Sequence, residues 1–136
     1  MSDLTITAAS VAAASGASVE HGVAAEAVTA GKVAYKDATT GAYGLADSNS
    51  ATAGVRVPVG IFLHAAATGQ PVAVATKGPV TIGATLTAGT IYTLSETAGG
   101  IQPAADLGSG EYTSVLGMAT STTVLNLKIQ SSGVAL

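Results

Sequence analysis

Residues 54–78, GVRVPVGIFLHAAATGQPVAVATKG, constrain the fold more than any other stretch. Val57, Val59, Ile61 and Leu63 alternate with Arg56, Pro58, Gly60, Phe62 and His64. A period of two places the first set on one face of an extended strand. After the loop Ala65 to Gln70 comes a second β-branched run, Val72 to Thr76. Two such runs joined by a short glycine-containing loop predict a β-hairpin. Burying its valines, Ile61 and Leu63 is worth roughly 1.5–3 kcal/mol each, so this hairpin is the expected centre of the core.

Turn signals divide the rest of the chain in the same manner. Thr29-Ala30-Gly31, Asp37 to Gly41, Asp47 to Gly54, Gly78-Pro79, Thr87-Ala88-Gly89, Ser95 to Gly100 and Asp106 to Gly110 read as turns or loops. Between them lie strand candidates at Lys32 to Lys36, Ala42 to Ala46, Val80 to Leu86, Thr90 to Leu94 and Ile101 to Pro103. Val23 to Val28 is ambiguous. Tyr112 to Ala119 and Thr123 to Gln130 predict a closing hairpin, with Leu125, Leu127 and Ile129 facing in and Asn126, Lys128 and Gln130 facing out. Short strands at this spacing, with no helical pattern alternating between them, define an all-β fold: a small antiparallel β-barrel or sandwich.

The order also repeats. Thr29-Ala30-Gly31 with Tyr35 is echoed by Thr87-Ala88-Gly89 with Tyr92, the tyrosine one place out. Ala46-Asp47 is echoed by Ala105-Asp106, and Val59-Gly60 by Leu116-Gly117. Gly31 to Gly89 is 58 residues, Asp47 to Asp106 is 59, and Gly60 to Gly117 is 57. Two similar halves is one reading; coincidence among common residues is the other. Residues 1–18 read as an extended N-terminal arm in front of a single β-domain, 19–136. Leu4 and Ile6 alternate with Thr5 and Thr7, and the small residues 8–18 offer little to hold them on a core.

Composition limits the functions open to such a domain. Charged residues are 10% of the chain, well below the usual quarter, and the net charge is −3. Aromatics are 4%. A core of Ala, Val, Thr and Gly buries little area per residue, which favours added burial on a partner or in an oligomer. The five basic residues are spread singly, so no nucleic-acid footprint exists. No apolar run approaches the ~20 residues of a membrane helix, and the N-terminus lacks the basic start of a signal peptide. Absence of Cys excludes disulfides and thiolate metal sites.

No catalytic set is visible. His21 and His64 have no metal-ligand spacing and read as surface or interface residues. The eight carboxylates do not form a calcium loop. Asp37, Asp47 and Asp106 sit beside turn residues, where Asp caps its own backbone. There is no G-x-S-x-G elbow and no phosphate loop. Tyr35 and Tyr92 are expected to anchor the two halves of the core with their hydroxyls at the rim. The expectation is therefore no enzyme, no cofactor and no metal.

Several segments in order resemble a known family. Val19 to Tyr35 (VEHGVAAEAVTAGKVAY), Leu45-Ala46-Asp47, Val59-Gly60-Ile61 and Ala66 to Val72 (AATGQPV) are similar to the head decoration, or cement, proteins of tailed bacteriophages. So are Leu86 to Tyr92, Gly99-Gly100-Ile101 and Val115 to Ala119. The resemblance implies a compact β-domain with an N-terminal arm, commonly a homotrimer, made in the host cytoplasm and placed on the outer capsid surface of the virion. Its partner would be the phage major capsid protein, bound at three-fold or quasi-three-fold positions of the expanded head. There it would clamp adjacent capsomers against DNA pressure, with no direct contact to nucleic acid or membrane. Leu4 and Ile6, on an arm able to add a strand to a neighbour, are the expected capsid or subunit contacts. Two readings stand beside it. One is a tail- or fibre-associated β-module that binds a host surface. The other is an enzyme with a sparse two-carboxylate site.

Overall fold

A computed structural model describes residues 4, 6–7 and 10–135. The strands are β1 (Ala12–Ala13), β2 (Ser18–Val23), β3 (Val33–Lys36), β4 (Tyr43–Leu45), β5 (Gly60–Phe62), β6 (Pro71–Thr81), β7 (Ile91–Leu94), β8 (Ile101–Pro103), β9 (Tyr112–Ala119) and β10 (Val124–Ala135). They join in the order β4-β3-β5-β6-β10-β9-β7-β8, all antiparallel, with β1 and β2 added along β6. The sheet curls into a half-barrel. Its two ends meet where Gly99 N–H donates to the Ala46 carbonyl (2.6 Å) and Val33 N–H donates to the Gly99 carbonyl (2.9 Å). The fold is the expected all-β class.

Both predicted hairpins form. Ile61 pairs with Ala75 and Phe62 with Val74 in the first; Leu125 pairs with Ala119 in the second. The first strand is shorter than its alternation suggests. Val57 follows a 3-10 turn at Ala53–Arg56 and stays exposed. Ile61 and Phe62 are both fully buried because this strand has protein on each face. Ile61 belongs to the larger cluster with Val33, Ile82, Leu94, Ile101, Leu116 and Leu125. Phe62 belongs to a second cluster with Ala34, Tyr43, Val74, Ala24 and Val28.

Gly78-Pro79, expected to break the chain, instead lies inside the 11-residue β6. Gly78 has φ +92°, and a side chain there would strike the Ala17 backbone, so the strand turns at the one residue type that permits both. Before the turn, β6 lies between β5 and β2; after it, between β10 and β1. Pro79 keeps its carbonyl in the ladder, where it accepts from Ala14 N–H at 3.0 Å. The expected strand Val80 to Leu86 is therefore the end of β6, and Ile82 and Leu86 are buried loop residues.

The N-terminal segment lies on the body. Leu4 N–H donates to the Ile101 carbonyl and Thr7 N–H to the Gly83 carbonyl, both at 2.8 Å. Val11 is buried, and Ala12 and Ala13 pair with Thr81 and Val80. Residues 18–23, for which the sequence predicts no strand, form β2 along Pro71 to Lys77. Residues 1–3, 5 and 8–9 lie outside the described set.

The two halves suggested by the repeat share one strand plan. In the first unit, β3 to β6, Ala34 pairs with Leu45 and Lys36 with Tyr43; in the second, β7 to β10, Tyr92 pairs with Pro103 and Leu94 with Ile101, each residue 58 places on. Val33–Ile61 is matched by Ile91–Met118, and Ala34–Gly60 by Tyr92–Gly117. Phe62–Val74 is matched by Ala119–Leu125, and Ile61–Ala75 by Met118–Asn126. The turns agree as well: Gly31 N–H donates to the Phe62 carbonyl (2.8 Å), and Gly89 N–H to the Ala119 carbonyl (2.7 Å). Gly60 and Gly117 play one role. A Cβ on either would fall on the carbonyl oxygen of the neighbouring strand, Ala75 or Asn126.

Candidate functional site

The chemistry-bearing side chains are dispersed and most have a structural task. His64 ends the first hairpin: its Nδ1 lies 2.9 Å from the Ala65 carbonyl, and its Nε2 accepts from Ala73 N–H at 3.2 Å. The neutral tautomer with hydrogen on Nδ1 satisfies both contacts. His21 is exposed on β2. Asp37 Oδ1 accepts from the N–H groups of Thr39 (2.7 Å) and Thr40 (3.0 Å), and these bonds hold its carboxyl below the usual range. Asp47 Oδ1 caps Asn49 N–H at 3.1 Å. Both are the turn-capping carboxylates expected from sequence. Asp106 lies in the 3-10 turn Ala104–Asp106. Among the described residues, no group of three or more His, Cys, Asp or Glu could hold a metal ion.

One carboxylate departs from this surface pattern. Glu111 is fully buried. Its Oε1 accepts from Ser48 Oγ (2.8 Å) and Gln102 Nε2 (2.9 Å), and its Oε2 accepts from Gly108 N–H (2.6 Å). Gln102 Nε2 also donates to the Leu94 carbonyl at 3.4 Å. Ser48 follows β4 of the first unit; Gln102 is on β8 and Glu111 precedes β9 of the second. The carboxyl group thus fastens the two units through three donors that satisfy its buried oxygens. No local pattern in the sequence marks it, because its first partner lies 63 residues away.

Tyr92 is buried and its hydroxyl accepts from Thr87 N–H (3.0 Å), closing its own turn; Tyr35 is half-buried against the same cluster. Burial, then the charges of Glu26 and Asp37, push the Tyr35 phenol up. Tyr43 lies over Gly22 of β2 and donates to Glu20 Oε1 at 2.8 Å. Burial first, then this hydrogen bond and the Glu20 charge, push its phenol up to about 12.

The surface recesses are shallow. One of about 180 Å³ is lined by Arg56, Val57, Tyr112, Ser114 and Ser131, with the Arg56 guanidinium 3.7 Å from the centre of the Tyr112 ring. A second, about 350 Å³, is lined by Thr7, Ser10, Thr81, Gly83, Thr85 and Thr123. Neither pairs a histidine with a carboxylate. Large apolar side chains are exposed instead along strands: Val19 and Val23 on β2, Ile91 and Met118 on β7 and β9, and Val134 on β10, with Val57 beside the first recess. Leu4 and Ile6 are partly buried against the larger cluster, Ile6 occupying the space a Gly31 side chain would need.

Compared with known proteins, the chain matches no family model and no curated protein. Among the described residues no helix is long and apolar enough to cross a membrane.

Proposed function

We propose that this chain is a structural virion protein: a capsid decoration, or cement, protein of a tailed bacteriophage. The observation that carries the reading is the ordered series of segments from Val19 to Ala119 that resembles that family. The surface supports it. Charge is sparse, and the exposed apolar side chains sit on strands rather than in a cleft. In this reading the protein binds the outside of the expanded head at three-fold or quasi-three-fold positions, as a homotrimer, and clamps adjacent subunits of the major capsid protein. It carries no catalytic step and takes no cofactor. Leu4 and Ile6 contribute through the N-terminal segment, which is seated on Gly31, Gly83 and Ile101.

Purified protein titrated onto expanded heads that lack it tests the reading. Saturable co-sedimentation at a multiple of about sixty copies, the count closed icosahedral symmetry demands, is the expected result. Recovery with tail fractions and no binding to heads would overturn it in favour of a tail- or fibre-associated module that binds a host surface.

A further inference from the structure

The recess beside Arg56 lies where the two units meet. Arg56 ends the 3-10 turn between β4 and β5 of the first unit; Tyr112 and Ser114 are on β9, and Ser131 and Gly133 on β10, of the second. Clefts at such junctions are where ligand sites concentrate. The half-buried guanidinium is held there on two sides. It stacks on the Tyr112 ring, 3.7 Å from its centre, and its Nη1 donates to the Ser50 carbonyl at 3.2 Å. Ser114, itself buried, donates from Oγ to the Arg56 carbonyl at 3.2 Å, which ties the backbone down as well.

What this guanidinium lacks is an acid. Among the described residues no carboxylate pairs with it, although the net charge of the chain is −3. The acids closest in sequence to its partners serve other donors: Asp47 takes Asn49 N–H, and Glu111 takes Ser48, Gln102 and Gly108. A guanidinium offers five N–H donors, and the Ser50 carbonyl uses one. The rest stand in a planar fork that matches a carboxylate, and the stacking on Tyr112 fixes the plane before a ligand arrives. The recess, about 180 Å³, is several times the ~30 Å³ of one water. That is room for a carboxylate and the methylenes behind it. Ala53 and Val57, the latter 46% exposed, give those methylenes an apolar wall, and Ser131 puts a hydroxyl at the rim.

We propose that this recess receives the side-chain carboxylate of an aspartate or glutamate on a protein partner. Arg56 takes the carboxylate through its free N–H groups, and Tyr112 holds the guanidinium in place. The recess is shallow, so it encloses the end of a side chain and leaves the rest of the contact to the partner's surface. Arginine and tyrosine are the residues that dominate the energy of such contacts, and a carboxylate is the group that complements this unmatched cation. The site rests on Arg56 and its surroundings alone; only the placing of the acid on the major capsid protein rests on the decoration reading.

Two measurements test this. In the first, the intact chain is titrated with glutamate capped at both ends, as N-acetyl-glutamate N-methylamide, while NMR follows Arg56 Nε–H and the Ser114 amide. A saturable shift is expected, absent with the capped glutamine analogue. Equal shifts from the two, or a shift that never saturates, overturns the proposal. In the second, variants are titrated onto expanded heads that lack the protein. Arg56→Gln and Arg56→Lys should bind at least about tenfold more weakly than the intact chain. Lys77→Gln, which removes the same charge from an exposed position on β6, should bind as the intact chain does. Should Arg56→Gln lose its β signal in circular dichroism, Arg56→Lys, which keeps the charge and removes the fork, carries this measurement. Arg56 variants that bind heads as tightly as the intact chain, while acetate saturates the recess as tightly as capped glutamate, would assign it to a small free acid and overturn the protein partner. An intact chain that does not bind heads removes the decoration reading, and the first measurement then decides the site by itself.

Discussion

The first unit of the chain is buried on both faces, the second on one. In β3 to β6, Val33, Ile61 and Ala75 point into the larger cluster, while Ala34, Phe62 and Val74 point into the smaller. In β7 to β10 the counterparts of the first set are Ile91, Met118 and Asn126, all exposed, with Ile91 at 42% and Met118 at 47%. The counterparts of the second set, Tyr92, Ala119 and Leu125, face the larger cluster. One strand plan is used twice with opposite faces turned to the shared core. A strand's side chains alternate, so a shift of one residue in the apolar pattern exchanges its faces. The tyrosine found one place out of register between Tyr35 and Tyr92 carries that exchange in the sequence. The lesson is that a repeat in turns and glycines fixes pairing register, whereas the parity of the apolar residues decides which side becomes core.

The comparison predicts both equal and unequal effects. The largest are equal ones. Gly60→Val and Gly117→Val each put a side chain onto the carbonyl of the adjoining strand, and each should cost more than about 3 kcal/mol in urea denaturation. A large cost at one glycine and none at the other would break the equivalence of the units. Next is the buried fastening between them. Glu111→Ala removes the acceptor of Ser48 and Gly108 and leaves Gln102 only its longer bond to Leu94, and should cost about 2–3 kcal/mol. Glu111→Gln, which keeps an acceptor oxygen in place, should cost less. The smallest effect belongs to the first unit alone. Tyr43→Phe removes the hydrogen bond to Glu20 and should cost about 1 kcal/mol near neutral pH. The folded protein holds the Tyr43 phenol protonated to about 12, above the usual 10. Its contribution is therefore complete below pH 10 and is lost as pH rises toward 12. Phenolate absorbance should show a last-titrating tyrosine in the intact protein that the Phe variant lacks.

Much of this architecture is legible in the chain. The two hairpins follow from β-branched alternation, the turns from Gly and Asp, and the paired units from glycines about 58 residues apart. Three features were hidden for physical reasons. Ser18–Val23 lies on an edge with almost no burial, so it shows no inside–outside alternation. Gly78-Pro79 carries a local break signal, and the strand continues because different neighbours pair with it on either side of the turn. Glu111 reads as a surface acid because the donors that admit it to the interior are gathered only by the fold. Of the candidate contacts, the alternation at Leu4 and Ile6 was legible; their seat on the larger cluster was not.

The claim that one plan is used with opposite faces inward is tested most directly by a matched pair of truncations, Ile61→Ala and Met118→Ala, compared by urea denaturation. These residues hold the same place in their units, opposite Val33 and Ile91. The account predicts a loss of about 2–5 kcal/mol for Ile61→Ala and less than about 0.5 kcal/mol for Met118→Ala. Equal losses, or a larger loss at Met118, would contradict it.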